Sequence, residues 1–186
     1  MTKTIQTFLL ALARNSIKHY LDSQNYLKIF TADLPSPDLL IKQGTFVTLT
    51  ISGKLRGCIG HIEPVNPIYQ DIIENAVAAA FFDPRFYPLT QEEFPLIQIE
   101  ISLLSVPEKL MFKDSNDLIE KLEKTKPGLI IQKGFAKATF LPQVWEEVPQ
   151  PKNFLSELCL KAGLPSNEWE KGDLDVKVYQ AEVFKE

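Results

Sequence analysis

Apolar and polar residues alternate along this chain with two different periods. Over the first 22 residues the apolar side chains recur at helical spacing and share one face, which predicts an amphipathic helix. Residues 44–51 and 97–103 instead alternate strictly between apolar and polar, as half-buried strands do. The turn residues 52–54 separate the first of these segments from a second strand-like run at 55–62, so a β-hairpin is predicted there.

The rest of the chain continues this mixture of helices and strands. An alanine-rich helix is predicted after Asn66 and Pro67, and the prolines within residues 83–88 end it. The elements predicted beyond it are helices at 114–124 and 153–163, a hairpin around residues 133–134 and a final strand at 175–184. Because helices separate hairpins rather than single strands, we expect an α+β fold, with a largely antiparallel sheet and flanking helices. No segment has the composition of a flexible linker, so residues 1–186 are interpreted as one domain.

The charge pattern argues against nucleic acid as a partner. The net charge is −4, and no window of the chain concentrates lysine and arginine. No apolar segment reaches the roughly 20 residues that a membrane helix needs. The apolar run near the N-terminus is interrupted by Arg14, Asn15 and Lys18, which favours a folded helix over an export signal. We therefore expect a cytoplasmic protein that does not enter the membrane.

The chain contains two cysteines, Cys58 and Cys159, which are far apart in the sequence. Two free thiols in a reducing compartment fit this usage better than a disulfide framework does. A single disulfide between them is geometrically open, since sequence spacing alone does not exclude it.

The segment GKLRGCIGHIEP, residues 53–64, combines three glycines with a cation and a thiol. On a strand, Arg56, Cys58 and Gly60 would share one face, and the residues between them would pack inward. A guanidinium beside the thiol would favour the thiolate and lower the pKa of Cys58, as in reactive cysteines. The alternative is that Cys58 is a small buried apolar residue and Arg56 anchors a buried ion pair. Glycine within a strand also marks the close approach of a ligand or of another backbone.

Two other kinds of site fit this segment poorly. Its glycines lack the lysine–serine pair and the strand-to-helix position of a phosphate-binding loop. Cys58 and His61 form C-x-x-H, which resembles half of a zinc site, yet no second half is evident. We therefore expect neither a metal nor a cofactor, and we interpret His61 as a partly exposed polar residue at the end of the strand.

Charged residues elsewhere suggest partners for this strand. In DPRF, residues 83–86, Asp83 lies two positions before Arg85, which predicts either a local salt bridge or a second wall that binds an anionic group. Glu100 lies on the polar face of its strand, where it is expected to be a surface residue or a partner for Arg56.

Six segments, in order, resemble the AMMECR-type domain, whose archaeal and bacterial members are called AmmeMemoRadiSam system protein A. The hexapeptide LRGCIG at 55–60 is similar to the signature of that family. The other matching segments are GTFVTL at 44–49, NAVAAAFFDPRFYPLT at 75–90, IEISLLS at 99–105, FLPQVW at 140–145 and FLSELCLKAGL at 154–164. The resemblance extends from about residue 4 to the C-terminus.

This resemblance implies an α+β fold with a larger and a smaller subdomain, and an LRGCIG strand at the cleft between them. It implies a candidate catalytic role for Cys58 and ligand-binding roles for residues of the matching motifs. The ligand-binding residues so implied are Arg56, Gly57, Gly60, Asp83, Arg85, Phe86, Glu100 and Gln143. The activity of the family is not established, but the system name points to two companions, a Memo-type protein and a radical S-adenosylmethionine (radical SAM) protein.

Two hypotheses about function follow, and the sequence leaves both open. In the first, Arg56 and Arg85 bind a small anionic ligand and Cys58 acts as nucleophile or thiol acceptor, so the chain is an enzyme or an enzyme component. In the second, the cleft recognises a partner protein or a small ligand without catalysis. The lack of a recognisable acid–base set favours the second hypothesis.

Overall fold

The computed structural model describes residues 1–186 as two compact units. The first unit contains Met1–Val106 and Glu182–Glu186, and the second contains Pro107–Ala181. The helices are α1 (Lys3–Ser23), α2 (Ile68–Phe81), α3 (Ser115–Thr125), α4 (Val144–Glu147) and α5 (Pro151–Lys161). The strands are β1 (Thr45–Ile51), β2 (Lys54–His61), β3 (Ile97–Leu104), β4 (Glu108–Lys109), β5 (Gly128–Lys133), β6 (Ala136–Phe140), β7 (Asp175–Tyr179) and β8 (Ala181–Lys185). The predicted α+β class with antiparallel strand pairs is confirmed.

The first unit consists of a four-stranded sheet with α1 and α2 packed against it. The strand order is β2-β1-β3-β8, and β1 pairs antiparallel with both β2 and β3. The turn of the β1–β2 hairpin has positive φ angles at Ser52 and Gly53, as a two-residue hairpin turn requires. One face of the sheet carries Val47, Leu49, Ile99 and Ile101, all fully buried in a core shared with α1 and α2.

Helix α2 lies very close to strand β2. A Cβ atom placed on Gly57 would clash with the backbone carbonyl of Ala79, so only glycine fits at that position. The small side chains of the helix permit this approach, as its alanine-rich sequence predicted. Residues 71, 75 and 79 of α2 follow one another at i, i+4 and i+8, and they form the stripe that faces the hairpin.

A β-bulge interrupts the β1–β2 pairing at Arg56. Leu49 lies opposite Gly57, but Thr50 lies opposite Leu55, so Arg56 has no partner residue in β1. A bulge re-aims the side chain of the extra residue. The simple alternation expected for Arg56, Cys58 and Gly60 therefore does not hold at Arg56.

The second unit has its own sheet and its own core. Its strand order is β4-β7-β5-β6, with antiparallel pairing throughout. Helices α3 and α5 contribute to the core, where the rings of Trp145 and Phe154 stack at 3.7 Å between centroids. Cys159 is fully buried on α5 and belongs to this core.

The last predicted strand differs from the sequence expectation. The single strand predicted at 175–184 is two strands, because β7 pairs in the second sheet and β8 pairs in the first. Both cysteines are free thiols. None of the helices combines the length and the apolar character needed to span a membrane.

Candidate functional site

Cys58 lies in a row of polar residues across the first sheet, on the face opposite α2. Its neighbour in β1 is Thr48, and the neighbour of Thr48 in β3 is Glu100. The Thr48 hydroxyl donates a hydrogen bond to the Cys58 sulfur, with an Oγ1–Sγ distance of 3.2 Å. Cys58 and Glu100 are therefore brought onto one sheet face, with Thr48 between them.

The Cys58 thiol is not activated by its surroundings. Burial raises its pKa above the ordinary value, and the hydrogen bond from Thr48 and the charge of Arg85 lower it by less. The expectation that a neighbouring guanidinium lowers this pKa holds for the charge of Arg85, but the pKa of the thiol is raised overall for two reasons. Arg56 is directed elsewhere by the bulge, and the cation that does act on the thiol, Arg85, is outweighed by desolvation.

Asp83 and Arg85 bind the backbone of Cys58 from the loop after α2. The Cys58 N–H donates to Asp83 Oδ2 at 2.9 Å, and the Cys58 carbonyl accepts from Arg85 Nη2 at 3.3 Å. Arg85 also donates from Nε and Nη2 to the two oxygens of Asp83, at 2.9 and 2.6 Å. The salt bridge predicted within DPRF is present, and it fixes the position of the Cys58 backbone.

The Asp83 carboxylate remains ionised although its side chain is only 1% exposed. The hydrogen bonds from Arg85 lower the pKa of Asp83 to about 2, and the backbone N–H of Cys58 contributes in the same direction. Burial opposes this shift but is the smaller effect. The Arg85 side chain is 52% exposed, so one edge of its guanidinium faces solvent.

Arg56 pairs with Glu93. The guanidinium donates from Nε and Nη2 to the two carboxylate oxygens of Glu93, at 2.9 and 2.8 Å, in a bidentate arrangement. Its Nη2 also donates to the Tyr87 carbonyl at 2.9 Å. The suggestion that Glu100 pairs with Arg56 is therefore wrong. The bulge turns Arg56 towards residues 87–93, which lie before β3 in the chain.

Glu93 is a site residue that the sequence interpretation missed. Residues 90–93, TQEE, have the spacing of a capping box, and that box is present: the Thr90 N–H donates to a Glu93 carboxylate oxygen, and the Glu93 N–H donates to the Thr90 hydroxyl oxygen. The same carboxylate also holds Arg56, a second role that no local pattern predicts. The pairing lowers the pKa of Glu93.

Arg56 and Arg85 line a shallow groove of about 340 Å³. Both guanidinium groups lie near the ring of Phe86, with their carbons 5.8 and 5.5 Å from its centroid. The Arg56 side chain is 12% exposed, and its Nη1 atom is buried without a hydrogen-bond acceptor. The groove therefore contains one unpaired buried donor and one half-exposed guanidinium.

The remaining predicted site residues have different surroundings. Gly57 faces α2, whereas a Cβ on Gly60 would clash with the Thr45 carbonyl and the Phe46 ring. Both glycines are thus explained by close packing within the protein. Gln143 belongs to the second unit, where it precedes α4.

His61 lies on the opposite face of β2 from Cys58. Its ring nitrogen Nδ1 is 2.8 Å from Oδ1 of Asp71, a residue of α2 that is completely buried. The two residues of the C-x-x-H match therefore cannot bind one metal ion together from this strand. The sequence interpretation found no partner for His61, because Asp71 reaches it only through tertiary packing.

Comparison with known proteins relates this chain to one family. The family model described as AMMECR1 matches residues 10–184, a range that includes both units. Protein MK0488 of Methanopyrus kandleri is 40% identical over 187 residues, covering 96% of this chain and 87% of that protein. Protein NEQ441 of Nanoarchaeum equitans is 37% identical over 177 residues, covering 94% of this chain and 97% of that protein.

A solved structure shares the same fold. The crystal structure of the uncharacterized protein PH0010 from Pyrococcus horikoshii superimposes with a TM-score of 0.92 at 35% sequence identity. The match covers 100% of this chain and 93% of that one. The likeness therefore extends over both units.

Proposed function

We propose that this chain, which belongs to the AMMECR1 family, is a binding component that holds an anionic group in the groove beside the LRGCIG strand. The group belongs to a small ligand or to a partner protein. One observation carries the proposal. The Nη1 atom of Arg56 is buried without an acceptor, and it belongs to a groove that also contains the half-exposed Arg85.

A buried guanidinium N–H without an acceptor is energetically unfavourable. A ligand oxygen that accepts a hydrogen bond from it therefore gains more binding free energy than it would by bonding to a donor that water already solvates. Arg56 and Arg85 use the same edge, Nε and Nη2, for their own carboxylates. Arg85 leaves Nη1 for an external acceptor, whereas Nη1 of Arg56 has almost no exposed surface and reaches a ligand only when neighbouring side chains of the groove move. Glu93 and Asp83 hold the guanidinium groups of the two arginines in place, so the arginine side chains lose little conformational entropy when an anion binds.

The charges around the groove limit the kind of ligand. Two guanidinium groups and two ionised carboxylates sum to no net charge, so the site selects an anion by donor geometry rather than by long-range attraction. A ligand that also stacks on Phe86 gains a second contact. We therefore infer that the ligand carries a carboxylate or phosphate next to a planar or apolar group.

The family resemblance supports a place for this binding component in a modification system. We propose that it acts in the cytoplasm with a Memo-type protein and a radical SAM protein, and that it binds either their substrate or one of the proteins themselves. The cleft expected around the LRGCIG strand is part of the same proposal.

A second candidate function is covalent chemistry at Cys58. One observation favours it: Cys58 is only partly buried, and its sulfur already accepts a hydrogen bond from Thr48, which would stabilise a thiolate. The raised pKa of the thiol argues against it. We therefore rank binding above covalent catalysis.

The binding proposal is tested by nuclear magnetic resonance on the arginine side chains. The chain has three arginines, and the third, Arg14, is held by Glu186 away from the groove, so it serves as an internal control. Titration with phenyl phosphate should shift the Nε–H signals of Arg56 and Arg85 and leave that of Arg14 unchanged. Inorganic phosphate, which lacks the ring, should bind more weakly.

Two variants complete this experiment. Arg85→Lys keeps the positive charge but loses the planar, bidentate donor geometry of the guanidinium group. This variant should bind phenyl phosphate about tenfold more weakly. Lys54→Ala, which removes an exposed cation at the start of β2, should leave binding unchanged. If neither Arg56 nor Arg85 responds to phenyl phosphate or phosphate, the anion site is refuted.

The partner part of the proposal has its own test. Tagged protein is mixed with the purified Memo-type and radical SAM proteins of the same genome, and complexes are measured by sedimentation. A complex that Arg85→Lys weakens and Lys54→Ala does not would support a partner at the groove. Absence of any complex would refute the partner role and leave the ligand role to the titration.

A further inference from the structure

A second and larger cavity lies in the first unit, on the α2 side of the sheet. Its volume is about 800 Å³, which is within the range that holds small organic ligands. The walls come from residues 26–30, from the end of β2 and from one side of α2. Apolar and aromatic side chains make up most of the lining, including Phe30, Ile59, Tyr69 and Ile73.

A buried carboxylate orients one polar group of this cavity. His61 lines the cavity with a side chain that is 43% exposed, whereas Asp71 behind it has no exposed surface. The His61 Nδ1 atom is 2.8 Å from Asp71 Oδ1. Because a carboxylate only accepts hydrogen bonds, the hydrogen of the neutral imidazole lies on Nδ1, and Nε2 is an acceptor.

The Asp71 carboxylate is itself held from behind. The Thr45 hydroxyl donates to Oδ2 at 2.6 Å, and the Asn75 amide donates to the same oxygen at 3.0 Å. Asn75 also donates to Thr45 Oγ1 at 3.0 Å, which closes the network. Thr45 lies opposite His61 in the hairpin, and Asn75 is one turn after Asp71 on α2. The position of the imidazole is therefore set by two elements at once.

A purely structural role for His61 explains less of this arrangement than a ligand-binding role does. A buried aspartate is satisfied on one oxygen by Thr45 and Asn75, and an asparagine at position 61, whose Nδ2 corresponds in position to Nδ1 of histidine, would satisfy the other. A half-exposed imidazole adds an acceptor that faces a cavity, with its tautomer fixed by a carboxylate. Such fixed acceptors are the few polar groups that orient a ligand in an otherwise apolar pocket.

The charges at the cavity favour an uncharged ligand. Its two ionisable rim residues of opposite sign are Lys28 and Glu74. The Glu74 carboxylate already accepts hydrogen bonds from Asn66 and Gln70, at 2.9 and 2.8 Å. Because these two charges are opposite, neither an anionic nor a cationic ligand experiences a net attraction to the cavity.

We propose that this cavity is a binding site for a small uncharged molecule with an aromatic or apolar body and one hydroxyl or N–H group, which donates to His61 Nε2. Asp71 acts as a positioning residue for the imidazole. The site shares no lining residue with the groove of Arg56 and Arg85, so it is independent of the anion proposal.

The chain contains only two histidines, so ¹⁵N-labelled imidazole signals report on this site directly. His19 on α1 lines a different cavity and serves as the internal control. At about pH 8, where free imidazole is uncharged, His61 should show a hydrogen on Nδ1 and an acceptor at Nε2. The opposite tautomer would overturn the role given to Asp71.

The ligand class is tested with two molecules of nearly the same shape. 4-Methylphenol should shift the His61 Nε2 signal and leave His19 unchanged, and toluene, which lacks the hydroxyl, should bind about tenfold more weakly. Equal binding of the two would refute the hydrogen bond to His61. Absence of binding by 4-methylphenol, phenol and indole would refute the site.

Substitutions test whether 4-methylphenol binds in this cavity or elsewhere on the protein. Ala78→Trp would fill the cavity from α2 and should abolish binding of 4-methylphenol, and Ala78→Leu is the smaller change if the first variant does not fold. Ala11→Trp, beside the other cavity on α1, is the matched control and should bind normally. Binding that survives a folded variant at position 78 would overturn the location.

Discussion

Gly57 in β2 lies directly against the backbone of Ala79 in α2, with no room for a Cβ atom between them. The contact is made by the helix backbone rather than by a flexible side chain. Strand and helix therefore meet at this point in one fixed arrangement. The same stripe of α2 carries Asp71 and Asn75, so the contact also sets the position of the His61 network.

Replacement of Gly57 by alanine should destabilise the fold by about 2 kcal/mol or more, because the helix must move away from the strand. Urea unfolding should show a lower midpoint with an unchanged slope. Lys54→Ala on the same strand is exposed and should change the free energy of unfolding by less than about 0.5 kcal/mol. A Gly57→Ala protein as stable as the wild type would mean that this contact is looser than described.

Asp83 should make the stability of the protein depend on pH in the acid range. Its pKa is about 2 in the folded state, against an ordinary value of 3.8 that applies to the unfolded chain. The folded state therefore binds this proton less readily, so the stabilisation of about 2 kcal/mol is fully present above about pH 4 and is lost as the pH falls through about 2.

The measurement compares wild-type protein with Asp83→Asn by urea unfolding across this pH range. The variant should be less stable at neutral pH, and the difference should shrink as the pH falls towards 2. Asp33→Asn, at an exposed carboxylate, is the control and should follow the wild-type curve. A difference that stays constant with pH would show that Asp83 is not held ionised by Arg85.

Local sequence patterns were sufficient for the hairpin, for the helices α1, α2, α3 and α5, and for the need for glycine in LRGCIG, whereas the four-residue helix α4 was not predicted. The alternation of residues 44–51 and the turn residues that follow are short-range signals, and both were confirmed. The final segment was misjudged, because nothing in its alternation indicates that β7 and β8 pair in different sheets. Sheet membership depends on partners that lie far away in the sequence.

The pairs that form the site were harder to predict than the elements that carry them. Arg56 meets Glu93 because a bulge changes its direction, and the sequence contains no marker for that bulge. His61 meets Asp71 because α2 crosses the end of the hairpin. Asp83 and Arg85 are two residues apart, so local reasoning predicts their salt bridge, as it does the capping box of Thr90 and Glu93.

The Arg56–Glu93 pair should show a measurable coupling energy. A double-mutant cycle with Arg56→Met and Glu93→Gln should give about 1–2 kcal/mol, since the bidentate pair is mostly shielded from water. Lys18 and Asp22 form an exposed i,i+4 pair on α1 and provide the matched control, with an expected coupling well below that of the Arg56–Glu93 pair. Equal coupling in the two cycles would indicate that Arg56 and Glu93 are no better ordered in solution than a surface pair.

Alkylation distinguishes a resting thiol from an activated one at Cys58. Iodoacetamide reacts with the thiolate, and burial raises the pKa of this thiol, so the reaction of folded protein should be slower than that of free cysteine at neutral pH. As the pH is raised, the alkylation rate should increase with a midpoint above the ordinary pKa of a cysteine. Cys159, fully buried in the second unit, should remain unmodified until urea unfolds the protein.

Thr48→Val sharpens this test because it keeps the shape of the side chain and removes the hydroxyl that donates to the sulfur. The variant should raise the alkylation midpoint further, since the lost hydrogen bond favours the thiolate. A Cys159→Ala background keeps the measurement to one thiol. A wild-type midpoint below that of free cysteine would reverse the ranking of the two candidate functions, because a thiol ionised at neutral pH is suited to act as a nucleophile.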